Sequence, residues 1–183
     1  MSTAASPALR YNIDSAHSGV HFKVRHLMIS SVRGDFTKVT GTVDIVPGNP
    51  EATVIDATID AASISTREAD RDNHLKSPDF LDVANHPSIT FKSTKVQDAG
   101  NGVYNVTGDL TIRGTTKSVM LKMEDVSEDT KDPWGLMRRG ATAATTINRK
   151  EFGVSFNAMM ETGGFMVGDD VQISLDMEIV RPA

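Results

Sequence analysis

Hydropathy along this chain alternates with a period of two, and that period limits the possible folds more than any other property. The clearest run is DDVQISLDMEIV near the C-terminus, where Val171, Ile173, Leu175, Met177 and Ile179 alternate with Gln172, Ser174, Asp176 and Glu178. A half-buried antiparallel strand requires this pattern, because successive side chains point to opposite faces of a sheet. A helix could not bury it, since helical apolar positions recur every three or four residues.

The alternation recurs along the chain. HSGVHFKVRHL sets Val20, Phe22, Val24 and His26 against His21, Lys23 and Arg25; GTVDIV, TVIDATIDA, SITFKSTKV, GVYNVTGDLTI, SVMLKMEDV and ATAATTINR follow. Together these predict about eight strands, broken by turn residues such as Pro47-Gly48-Asn49-Pro50, Gly100-Asn101-Gly102 and Arg113-Gly114. Strands at this spacing indicate a sandwich or a barrel. At 183 residues the chain reads as one domain over residues 11–183, preceded by a flexible segment over residues 1–10. It has no cysteine, which removes disulfides, thiolate metal sites and cysteine nucleophiles. Its net charge of −5 and scattered cations argue against nucleic acid as a partner. No run approaches the roughly 20 apolar residues of a membrane span. MSTAASPALRYNID lacks the apolar core of a signal peptide, so the expected location is cytoplasmic, or periplasmic if a leader has been removed.

One interval departs from strand patterning. DRDNHLKSPDFLDVANHPSITF, beginning at Asp70, concentrates acids, cations and two histidines. Thr66 is expected to cap a short helix through Arg67–Leu75, and Ser77-Pro78 to open a second helical turn that ends at His86-Pro87. The insert thus spans about residues 66–84. Capping and turn formation account for most of its aspartates.

The histidines do not form a metal set. On a strand, His17 and His21 share a face but lie about 13 Å apart, and His26 points the other way. No nucleophile elbow or phosphate loop is present. The inward positions include many small residues, among them Ala57, Gly108, Ala141 and Ala143. An eight-stranded barrel can be filled by side chains or can hold one small ligand. Small residues, together with the flexible Met120, Met123, Met159, Met160 and Met166, fit a cavity, but they fit a filled core equally well.

Read together, IDSAHSGVHFKVRH, RDNHLKSPDFLDVANHPSITF, GDLTIRGTTKSV and INRKEFGVSFN resemble the YceI-like family, also called polyisoprenoid-binding proteins, from about Tyr11 to Ile179. The resemblance implies an all-β, extended, antiparallel eight-stranded lipocalin-like barrel with an apolar channel. The implied ligand is an isoprenoid lipid, either a quinone or a polyprenyl pyrophosphate, held without catalysis. It implies a homodimer, no catalytic residues, no metal and no catalytic cofactor, with at most transient membrane contact. Val20, Phe22, Val24, Phe36, Phe91, Leu110, Phe152, Phe156 and Phe165 are then expected to line the channel, and Leu75, Phe80 and Leu81 to help close it. Arg71, Asp72 and His74 are candidates for a head group, or for holding the insert to the barrel. Two other classes stay open: a stress-related interaction protein with a filled barrel, and a small enzyme acting on a hydrophobic substrate through His26.

Overall fold

In the computed structural model, which describes residues 6–161 and 163–183, twelve strands form one antiparallel sheet that closes on itself. The closure has eight staves, and the first three are bent into two strands each. They are β1 (Leu9–Ile13) with β2 (Gly19–His26), β3 (Ser30–Phe36) with β4 (Val39–Val46), and β5 (Asn49–Asp60) with β6 (Ile64–Ser65). The others are β7 (Ser88–Gly100), β8 (Val103–Ile112), β9 (Thr115–Glu124), β11 (Leu136–Asn148) and β12 (Val167–Pro182), while β10 (Thr130–Lys131) only edges β11. The order is a simple up-and-down circuit. β12 closes it, pairing with β11 from Asp170 to Pro182 and, on its other side, with β1 and β2. Closure leaves few strand edges exposed for pairing with another chain.

The wall begins earlier than the sequence indicates. Leu9 and Arg10 pair with Ile45 and Asp44, and the Arg10 guanidinium donates to both Asp44 oxygens at 2.7 and 2.6 Å. Leu9 and Arg10, expected in the flexible segment, are therefore strand; residues 1–5 of that segment lie outside the described residues.

Two aromatic rings explain two of the glycines. Phe22 lies over its cross-strand partner Gly34, and Phe91 lies over Gly108, so that any Cβ at either glycine would collide with the ring. Gly108 therefore adds no empty space to the interior: the Phe91 ring occupies what its missing side chain leaves.

At one end of the barrel lies the insert. Its α1 (Ala69–Lys76) is the one α-helix among the described residues. Glu68, not Thr66, is the cap, and its carboxylate accepts from the backbone N–H of Asp70 and Arg71. Thr66 instead donates to Asp72 and accepts from the Arg71 guanidinium. The expected second helical turn is absent. The N–H groups of Leu81 and Val83 return to the carbonyls of Leu75 and Lys76 at the end of α1, so they cannot propagate a new helix. Residues 77–85 form stacked turns, with Asp82 in the left-handed region at φ 49°.

Arg138 ties three separate segments together on the outer wall. It donates to Asp14 at 2.6 Å, to Asp132 at 2.7 Å and to Glu178 at 2.5 Å. Hydrogen bonds from Arg138, and then from His17, hold the Asp14 carboxyl at about 2, well below the ordinary carboxylate value. A carboxyl depressed in the folded state binds protons more readily when unfolded, so its stabilisation is complete above about pH 4 and fades as pH falls towards 2. Arg138→Met is expected to lower the melting temperature at neutral pH and to flatten its fall between pH 4 and 2. A pH series of thermal melts on both proteins reads this; parallel curves would show that Asp14 is not held by Arg138.

Candidate ligand cavity

The inward side chains enclose a cavity of about 370 Å³ that extends from the insert end of the barrel to the opposite, hairpin end. This lies within the range of roughly 300–1,000 Å³ usual for small-molecule sites. Every stave contributes alternate residues, so the period seen in the sequence is also the period of the lining. Val171, Ile173, Leu175, Met177 and Ile179 all face the cavity from β12, as do Ala141, Ala143, Thr145 and Ile147 from β11.

Of the residues expected to meet a ligand, Val20, Phe22, Val24, Phe36, Phe91, Leu110 and Phe152 line the cavity, and Leu75, Phe80 and Leu81 cover it from the insert. The other six, His26, Arg71, Asp72, His74, Phe156 and Phe165, are placed elsewhere. His26 is the last residue of β2, opposite the bulge that β12 makes between Val167 and Val171, and it does not reach the cavity. Phe156 packs outside, with its ring centroid 5.0 Å from His74 and 5.1 Å from Phe80. Phe165 is half exposed, with the Lys150 ammonium 5.4 Å from its ring centre. Both phenylalanines belong to the irregular segment between β11 and β12, where alternation gives no guide to direction.

Arg71 and His74 serve the insert itself. Arg71 donates to the Thr66 hydroxyl and carbonyl, and His74 pairs with Asp79 at 2.8 Å while its ring meets Phe80 edge-on at 5.0 Å. With Asp72 bonded to Thr66, the charged cluster is a mechanical lock on the lid, and these side chains are committed to intramolecular partners. Arg113 adds to the lock by donating to the carbonyls of Phe80 and Gly153. The methionines also differ from expectation. Met123 faces the cavity, whereas Met120 and Met159 are exposed.

Sequence reasoning missed two arginines in the lining. Arg149 is buried at the insert end and donates to the carbonyls of Gly168, Val154, Phe156 and Val167. Burial pulls its pKa down, with Asp169 opposing. Arg139 lies at the hairpin end, inward from β11. A cation in phase with the inward positions of β11, within the strand for Arg139 and one residue past its end for Arg149, was the available signal. A third feature, Asp14 with His17 and Glu178, has ligand atoms within 4.8 Å of one another. The Arg138 guanidinium already bonds both of those carboxylates, which leaves the cluster short of the free negative charge a metal needs.

A closed up-and-down β-barrel with an apolar interior cavity defines the class as a hollow β-barrel. Residues 11–179 match the model of the YceI-like domain, and the chain belongs to that family. It is 40% identical over 150 residues to a UPF0312 protein of Ectopseudomonas mendocina, covering 81% of this chain and 78% of that one. Among solved structures it is similar to Burkholderia cenocepacia BcnA, with a TM-score of 0.79 and 26% identity, over 91% of this chain and 98% of the other. A polyisoprenoid binding domain from Saccharophagus degradans shares the fold at a TM-score of 0.68 and 12% identity, covering 94% of this chain and 98% of that one.

Proposed function

We propose that this protein binds a long-chain isoprenoid lipid, with the tail in the barrel cavity, and carries or stores it without chemical change. The observation that carries the reading is the cavity itself: continuous, apolar and lined from all eight staves. The named binding role of the Saccharophagus domain, on the same fold, supports the choice of isoprenoid. Each buried methylene contributes about 0.8 kcal/mol before ordering costs, so affinity should rise with tail length until the cavity ends. A quinone and a polyprenyl pyrophosphate are both compatible ligands.

An enzyme acting on a hydrophobic substrate fits less well, because its candidate base, His26, stands outside the cavity. A filled barrel without ligand is disfavoured by the open volume. The homodimer and the cytoplasmic location belong to the same proposal, and light scattering and cell fractionation would test them.

The decisive experiment is mass spectrometry of an organic extract from the purified, never-denatured protein beside a mock purification. A stoichiometric isoprenoid is expected. If neither the native extract nor added isoprenoids of any tail length occupy the protein, the reading is wrong.

A further inference from the structure

The cavity is apolar along its walls but not at its hairpin end. Arg139 reaches into the lining there with a side chain only 19% exposed. A guanidinium has five N–H donors. Among the described residues, Arg139 makes one hydrogen bond, from Nε to the Ser127 carbonyl at 3.0 Å. Its nearest carboxylates are Asp129, 3.6 Å from Nε, and Glu128, 3.8 Å from Nη2, the latter on a side chain that is 98% exposed. The Nη1 and Nη2 donors therefore stand at the end of an apolar cavity with no partner at hydrogen-bonding distance. Spare guanidinium donors at the end of an apolar cavity can take acceptor oxygens from a ligand.

The surroundings reinforce this. Asp129 is already engaged: it accepts from the buried Tyr11 hydroxyl at 2.8 Å and from Arg181 at 3.2 Å. Arg181 stacks on the Tyr11 ring at 5.3 Å, and its own Nε is buried without a partner. Two guanidinium groups thus share one inward carboxylate, and the hairpin end keeps spare N–H donors. At the insert end, by contrast, the Arg149 donors are spent on backbone carbonyls.

We infer that Arg139, backed by Arg181, Tyr11 and Asp129, forms the head-group site of the cavity, and that it takes a group bearing acceptor oxygens, such as a quinone carbonyl or a phosphate. The lipid then lies head down at the hairpin end, with its tail directed towards the insert. This inference rests on the lipid-binding reading and adds to it an orientation and a chemical preference. Quinone and phosphate share the acceptor chemistry but differ in charge, so a lysine at position 139 separates them. An ammonium satisfies a phosphate as a point charge, but it cannot reproduce the planar fork that a guanidinium offers a carbonyl.

The test is equilibrium binding of menaquinone-4, geranylgeranyl phosphate and the corresponding headless hydrocarbon to the wild-type protein, Arg139→Met and Arg139→Lys. Arg139→Met is expected to weaken the quinone about tenfold and the phosphate about thirtyfold or more, and to leave the hydrocarbon within about twofold. Arg139→Lys should restore the phosphate and not the quinone. Equal losses for all three probes, or no loss for the two with head groups, would overturn the assignment while leaving the lipid-binding reading intact. If none of the probes binds the wild-type protein, both fail. Should Arg139→Met not fold, NMR of the wild-type guanidinium signals decides: Arg139 Nε–H must shift with menaquinone-4 and not with the hydrocarbon, and the reverse would overturn the site.

Discussion

Arg149→Met is expected to lower the folding stability by about 3–5 kcal/mol, because several backbone carbonyls lose a charged donor at about 1–3 kcal/mol each. For a chain of this size that corresponds to a fall in melting temperature on the order of 10 °C. The side chain is 6% exposed and bonds four carbonyls: Gly168 and Val167 at the start of β12, the latter shared with the Asn157 amide at 2.7 Å, and Val154 and Phe156 in the segment leading to it. Methionine matches the length of the stem but donates nothing, so the carbonyls of Gly168, Val154 and Phe156 would lose this donor, while Val167 keeps Asn157. Thermal melts against Arg113→Met make the comparison. Arg113 donates to two carbonyls near the same end at 2.8 and 3.2 Å, and its loss should cost less. If Arg149→Met melts within a few degrees of wild type, the four contacts do not hold the barrel end.

Ala141→Phe combined with Ala143→Phe is expected to abolish lipid binding and leave the fold in place. Both alanines face the cavity at successive inward positions of β11, opposite Met177 and Leu175 of β12. Rings at those positions would enter open space instead of packed side chains, so burial of their surface should hold or raise the melting temperature, as cavity filling commonly does. The same rings would take the volume an isoprenoid tail needs, and the dissociation constant should rise at least about a hundredfold. Tryptophan fluorescence is unsuited as the readout, because Trp134 is exposed; competition with a fluorescent fatty-chain probe serves instead. Retained binding in a folded double variant would place the ligand outside the barrel.

These variants bear on different levels of the structure. Arg149 and Arg138 hold the barrel closed at its two ends, one by hydrogen bonds within the interior and one by an ion network on the outer wall. The alanines of β11 keep the space open. Arg139 decides what sits at the end of that space. The lid belongs to the first group: its acids and imidazole are bound to one another, so a substitution such as Asp72→Ala loosens the insert before it alters the cavity.

The sequence by itself determined the strands and their inward faces. Alternation is a local property, and in a closed sheet with a dry interior it has one way to be buried. That is why the lining residues on β2, β5, β7, β8, β9, β11 and β12 were legible without coordinates. The resemblance of the quoted strings carried the closure of the barrel and its family. What the sequence could not settle lay wherever the chain leaves strand geometry. Phe156 and Phe165 sit in an irregular segment, where no period assigns a direction, and only tertiary packing turned them outward. Thr66 has the chemistry of a cap, but Asp72 and Arg71 claimed its hydroxyl first. The lock on the lid and the donors at the hairpin end also depended on partners far apart in sequence. Asp129 meets Tyr11 across 118 positions, and Arg139 is left with spare donors only because Asp129 is shared. Local patterns fix which side of a strand is buried; which charges find one another depends on how the staves close, and only the folded barrel decides that.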